Sequence, residues 1–150
     1  MSTDQSRPKP PQVPSDMKAF NRQLVEDFRK TQGKMRGQMA GRKLLLLTTR
    51  GTKSGEEKTV VLGYGTPIEG RYVVIASNNG AAKHPFWYGN LLKHPQVTVE
   101  VGAEKFSARA RTASAEEHRQ YSPLVPYIES QQKLTERQIP IVVLERQASS

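Results

Sequence analysis

The chain has 150 residues, enough for one domain with one core. Its formal charge is +9 and its sequence pI about 10.0, so the expected partners are anionic: nucleic acid, an acidic membrane face, or a phosphorylated or carboxylated ligand. There is no Cys, which excludes disulfides, zinc–thiolate sites and Cys nucleophiles, and no apolar run reaches the ~18 residues of a membrane span.

Residues 1–14 carry Pro8, Pro10, Pro11 and Pro14 among polar side chains and lack an apolar h-region. They read as a flexible tail and not as a signal peptide, so a cytoplasmic protein is expected. Ser15 or Asp16 caps a helix in which Met17, Phe20, Leu24, Val25 and Phe28 form an apolar stripe. Lys18, Arg22, Arg29 and Lys30 lie on its other face. Such a helix either packs its stripe on the domain or lies on an anionic membrane. Gly33, Gly37 and Gly41 then punctuate a basic connection up to residue 41.

Lys43 to Thr49 is a continuous apolar run of strand length, expected to be buried on both faces. Arg50 to Glu56 is a turn by composition, and Lys58 to Tyr64 returns as the second strand of a hairpin. Glu69-Gly70 turns the chain into a third strand, Arg71 to Ala76. The stretch from Ser77 to Pro95 holds the only Trp of the chain, and its Pro85 starts a short helix through Leu92. Val97–Val101 and Lys105–Arg111 alternate and form a hairpin with one wet face. Ser114-Ala115-Glu116-Glu117 fits a capping box. Pro123 and Pro126 break the following region into pieces, and Ile139 to Leu144 is a last strand. Six strands joined mostly by short connections indicate a closed or nearly closed antiparallel barrel with helices added, and argue against a parallel sheet.

Two places can carry chemistry. The turn Gly51-Thr52-Lys53-Ser54-Gly55, with Lys58 after it, offers two glycine N–H groups, two hydroxyls and two ammonium groups, the donors that a phosphate or carboxylate needs. It lies in a run, Arg29 to Lys58, with nine cationic residues against two acidic ones. A ligand with several negative charges suits such a rim. At the end of the third strand, Ser77 and Asn78 can meet a heterocycle, which Trp87 walls and Asn90 fixes by hydrogen bonds; core packing is the competing reading of Trp87. Tyr64, Tyr88, Tyr121 and Tyr127 are candidate proton donors. His84 and His94 have no third ligand nearby, so a metal site is not expected.

Leu47-Thr48-Thr49-Arg50-Gly51-Thr52-Lys53-Ser54-Gly55, Ala76-Ser77-Asn78-Asn79-Gly80, His84-Pro85-Phe86-Trp87-Tyr88-Gly89-Asn90-Leu91 and His94-Pro95-Gln96-Val97 resemble the deazaflavin-dependent nitroreductase family of actinobacteria. Ile139-Pro140-Ile141-Val142-Val143 resembles that family's closing strand. The resemblance implies a mainly β, α+β fold: a split antiparallel β-barrel over residues 42–146, similar to FMN-binding split barrels, that binds reduced coenzyme F420. The phosphate and oligoglutamate tail of that cofactor account for the basic rim. By the same resemblance Thr52, Lys53, Ser54 and Lys58 hold the phosphate, and Thr59, Val60 and Val61 line the edge of the site. Ala76, Ser77 and Asn78 meet the deazaflavin ring, with Phe86, Trp87 and Asn90 across from it. Ser77 and Tyr127 are the candidate catalytic residues.

The implied reaction passes a hydride to a quinone or a nitroaromatic acceptor. Asn78 stands where the nitroimidazole-activating kind has Lys, and only Tyr127 remains of its Tyr cluster, so nitroimidazole activation is not carried over. The basic helix resembles members that touch the inner face of the plasma membrane, which suits a menaquinone-like acceptor. An FMN-binding split-barrel oxidoreductase is the alternative. A non-enzymatic module for nucleic acid ranks last, because no aromatic side chain interleaves with the basic run.

Overall fold

The computed structural model of the chain describes residues 17–35, 43–53, 55–77, 83–125 and 128–147, with the side chains of the first helix from residue 21 on. Ser54, Asn78, Tyr127, residues 1–14 and most of the glycine-punctuated connection lie outside the described residues.

The leucine run forms β1 (Leu44–Arg50), and the first helix is α1 (Met17–Thr31). Leu45 and Leu47 enter the main core, while Leu46 turns the other way against Val25 and Phe28 of α1. Both faces of the strand are covered, which is why its sequence shows no alternation. Phe28 is only 1% exposed and Val25 is buried beside it, so the described part of the apolar stripe of α1 packs on the sheet. Asn21 donates to the Thr59 carbonyl (2.6 Å), and Arg29 pairs with both carboxylate oxygens of Glu100 (3.1 and 2.8 Å). The helix stops where Gln32 (φ +55°) and then Gly33 (φ +86°) turn left-handed, and the Gly33 N–H closes on the Phe28 carbonyl at 2.8 Å. Glycine takes that conformation without steric cost.

The hairpin continues with β2 (Glu57–Gly63), followed by β3 (Gly65–Ile68), β4 (Arg71–Ile75) and α2 (Phe86–Lys93). The second hairpin is β5 (Gln96–Val101) with β6 (Glu104–Thr112). After it come α3 (Ala115–Tyr121), a 3-10 turn (Ser122–Leu124), α4 (Ile128–Gln132) and β7 (Ile141–Arg146). There are seven described strands, one more than expected. The extra one, β3, carries Pro67 in an edge strand, where a missing donor is tolerated.

The strands form one antiparallel sheet in the order β2-β1-β5-β6-β7-β4-β3. Its two edges, β2 and β3, are joined through the single residue Tyr64. That short link can be made only if the sheet curls until its edges meet. The α+β chain is thus a split barrel, linked covalently across its seam. Gly65 sits at the seam: a methyl group there would stand 2.5 Å from the Leu124 carbonyl oxygen, so the close approach requires glycine.

The main core fills the barrel, with Val74, Ala76, Leu91, Val97, Val99, Ala108 and Leu144 around the β1 leucines. A second cluster, Val73, Ile75, Val125, Ile128, Ile139, Ile141 and Val143, seals the outer face of β4 and β7. Among the described residues no helix is long and apolar enough to cross a membrane.

The expected capping box is present at α3. The Glu117 N–H donates to Ser114 Oγ (3.2 Å), and the Ser114 N–H donates to Glu117 Oε1 (2.9 Å). Glu117 also takes a bidentate pair from Arg111 (2.7 and 2.9 Å), and Arg71 links Glu145 (2.7 Å) to Tyr121 Oη (2.9 Å). The Arg111 guanidinium, then the Ser114 N–H, hold the Glu117 carboxyl down at about 2. A depressed carboxyl stabilises the fold above its unfolded value of about 4.5, and that stability is lost as pH falls toward 2. We expect Glu117→Gln to cost about 2 kcal/mol at pH 7 and to flatten the acid limb of a urea-denaturation pH series. An acid limb unchanged in the variant would remove Glu117 from this role.

Candidate active site

The turn between β1 and β2 closes on itself. The Gly51 N–H donates to the Glu56 carbonyl (2.9 Å), and the Gly55 N–H donates to the Gly51 carbonyl (3.1 Å). The two glycine donors expected to face an anion are therefore spent within the turn, because an unpaired N–H there would leave the hairpin open. The side chains of the turn face outward: Thr52 and Lys53 are exposed, and Lys58 is half-buried. Lys58 Nζ meets Glu56 Oε1 at 2.9 Å. The rim is also smaller than a count of cations implies, since Arg29 is committed to Glu100.

Strand alternation divides the next predicted residues. Val60 packs against the main core, whereas Val61 packs against the α1 cluster. Lys58 shares the face of Val60 and pairs in register with Thr49. Thr59 faces the α1 side, and its Oγ1 meets Thr48 Oγ1 at 2.7 Å.

Helix α2 stoppers the barrel end nearest that turn. Trp87, Tyr88 and Leu91 enter the main core, while Phe86 is 59% exposed at the helix start. Asn90 is buried, and its Nδ2 donates to Thr49 Oγ1 at 3.1 Å. This bond ties α2 to the strand that leads into the basic turn. Thr49 was missed as a site residue; two hydroxyls ending an apolar run are the only signal it leaves in the sequence. Tyr88 Oη bonds to Thr112 Oγ1 (2.8 Å), which fixes the helix on its other side. Of the remaining candidate proton donors, Tyr121 accepts from Arg71 and Tyr64 lies edge-on to Tyr72, 5.7 Å between ring centres.

Ala76 lies in the main core and Ser77 is 9% exposed, directly beyond the end of β4. The Ala76 N–H donates to the Pro140 carbonyl (3.0 Å), which ties this strand end to the start of β7. Arg137 was also missed. Its guanidinium reaches the Ala76 and Ser77 carbonyls (3.3 and 2.8 Å), the Lys83 carbonyl (3.3 Å) and His84 Nδ1 (2.9 Å). Partial burial, then the Arg137 charge, lower the His84 pKa below its ordinary value. Among the described residues no cluster of His, Asp and Glu could hold a metal ion.

The fold and the site together are those of an α+β split barrel with a helix in one mouth, a basic turn on one side and a buried serine at a strand end. The model of the F420H(2)-dependent quinone reductase family matches residues 20–146. The chain belongs to that family, whose members are oxidoreductases that use reduced coenzyme F420. The F420H(2)-dependent quinone reductase Rv1261c of Mycobacterium tuberculosis is 32% identical over 110 residues, 68% of this chain and 72% of that protein. A solved F420-H2 dependent reductase, FDR-A, is 34% identical with a TM-score of 0.63, covering 69% of this chain and 95% of that one. A second solved structure, described as a domain-swapped dimer, is 29% identical with a TM-score of 0.65, covering 89% of this chain and 100% of that one.

Proposed function

We propose that this protein transfers a hydride from reduced F420 to a quinone. The observation that carries the reading is the extent of the family match, residues 20–146, which takes in both the basic turn and the strand end at Ser77. The donor set suits the cofactor: Thr52, Lys53 and Lys58 offer a hydroxyl and two ammonium groups at an exposed turn, as a phosphate requires. Gly55 has open space around it, so the turn has room for an anion.

In this reading Thr52, Lys53, Ser54 and Lys58 hold the phosphate, and Lys58 exchanges Glu56 for it. Val60 lines the inner edge of the site, while Thr59 and Val61 contribute backbone. Ala76, Ser77 and Asn78 meet the deazaflavin ring. Phe86, exposed at the start of α2, faces the ring's open side; Trp87 and Asn90 support it from within. Ser77 and Tyr127 are its candidate catalytic residues. The bound cofactor supplies the hydride, and the protein supplies position, charge and exclusion of water. A lipid-soluble quinone suits a protein that is cytoplasmic and touches an anionic membrane through the exposed Arg22 and Lys30 of α1. A nitroaromatic is the other acceptor class to be tested.

The deciding experiment is a titration of Trp87 fluorescence with oxidised F420, FMN and single-stranded DNA. We expect quenching by F420 with a dissociation constant on the order of micromolar, and weaker responses to the other two. Reduced F420 should then be consumed catalytically on addition of menadione. Tight FMN binding without F420 binding would sink the reading. F420 binding without menadione turnover would move the acceptor to another class.

A further inference from the structure

We infer that Arg137 is a positioning residue that couples the segment after α4 to the strand end carrying Ser77. One guanidinium bonds three backbone carbonyls and one imidazole. Two of those carbonyls, Ala76 and Ser77, lie at the end of β4; the third, Lys83, and His84 lie immediately before α2. The fork of Arg137 therefore sets the distance between a strand end and a helix start that share no sheet hydrogen bond. A guanidinium presents donors in a rigid plane and can span such a set; a lysine ammonium cannot.

The fork is itself aimed. Gln132, at the end of α4, donates to the Arg137 carbonyl (2.7 Å) and the Thr135 carbonyl (3.3 Å), and its Oε1 accepts from the Ile139 N–H (2.9 Å). Thr135 Oγ1 also accepts from the Arg137 N–H (3.3 Å). Gln132 thus holds the turn from 133 to 139 in the shape that points Arg137 at the strand end. The chain of contacts runs from α4 through Gln132 and Arg137 to Ser77.

His84 reports on this coupling. Arg137 can only donate, so Nδ1 of His84 is an acceptor and the ring proton of the neutral imidazole sits on Nε2. The ring lies 4.9 Å from that of Tyr88, centre to centre, and so passes the constraint on to α2. The inference rests on the reading of Ala76 and Ser77 as the cofactor-facing strand end; the His84 arm of the test does not.

The test uses the full chain with Arg137→Met, Arg137→Lys and Gln132→Ala. In wild type, nitrogen NMR of His84, assigned with His84→Gln, should show a bare Nδ1 and a protonated Nε2. In Arg137→Met the two tautomers should mix, and the His84 pKa should rise toward its ordinary value. Dissociation constants for F420 should rise about tenfold in Arg137→Met and nearly as much in Arg137→Lys, with a smaller rise in Gln132→Ala. With menadione, kcat should fall while KM holds, and the thermal midpoint should drop by several degrees in Arg137→Met and by less in Arg137→Lys, which keeps a donor. Wild-type binding in Arg137→Lys would mean that charge and not the fork matters, and would overturn the inference. A protonated Nδ1 in wild-type His84 would overturn it whether or not F420 binds. Failure of wild type to bind F420, with the His84 result intact, would reject the functional reading and leave the clamp standing. If Arg137→Met does not fold, Arg137→Lys and Gln132→Ala decide.

Discussion

Replacing Lys53 and Lys58 together by alanine is expected to weaken F420 binding about thirtyfold at low salt. Each exposed ammonium–phosphate contact contributes about 1 kcal/mol, and two such contacts make about 2 kcal/mol, or a factor near thirty. The loss should shrink in high salt, because wild-type binding itself weakens there while the variant has less charge to screen. Glu56 sharpens the test. It holds Lys58 at 2.9 Å in the free protein, so a phosphate must compete with it. Glu56→Gln is therefore expected to tighten binding several-fold. Fluorescence titrations of the three proteins in low and high salt check this. Equal affinities for wild type and the double variant in low salt would take the phosphate away from this turn.

Phe28→Ala is expected to destabilise the protein by about 3–5 kcal/mol, the usual cost of emptying a buried phenylalanine site. For a chain of this size that lowers the thermal midpoint by about 10 °C. The ring is 1% exposed and packs with Val25, Met35 and Leu46, and a Cβ on Gly33 would stand 3.3 Å from it. Deleting it opens a cavity between α1 and β1 that the helix cannot refill, because Arg29–Glu100 and Asn21–Thr59 hold it in place. Arg22→Ala, on the exposed face, should stay within about 0.5 kcal/mol of wild type. Urea denaturation of both variants checks this. A thermal midpoint unmoved by Phe28→Ala would mean that α1 is not part of the folded core and would return its stripe to a membrane role.

Much of the fold was legible because local chemistry dictated it. The β1 leucines, the alternation in β6, the capping box at Ser114 and Pro85 ahead of α2 each follow from residue spacing over a few positions. β3 was not legible, since its four residues include Pro67 and show no strand pattern until β4 is there to pair with them. The site divides in the same way. A basic turn and a Ser-Asn strand end can be read from composition, and the family resemblance that joins them is carried by four short motifs and the closing strand.

The sequence by itself determined the basic character of the chain, the absence of thiol chemistry, six of the seven described strands and the family. Only the tertiary structure decided which donors are free to serve a ligand. It spends the Gly51 and Gly55 N–H groups inside the turn, commits Arg29 to Glu100, sends Val60 and Val61 to opposite faces, and brings Thr49 to Asn90. It alone delivers Arg137 to carbonyls about sixty residues away in sequence. The reason is physical: a residue's type states which bonds it can make, but its partners are chosen by the curl of the sheet, which draws distant strand ends into one mouth.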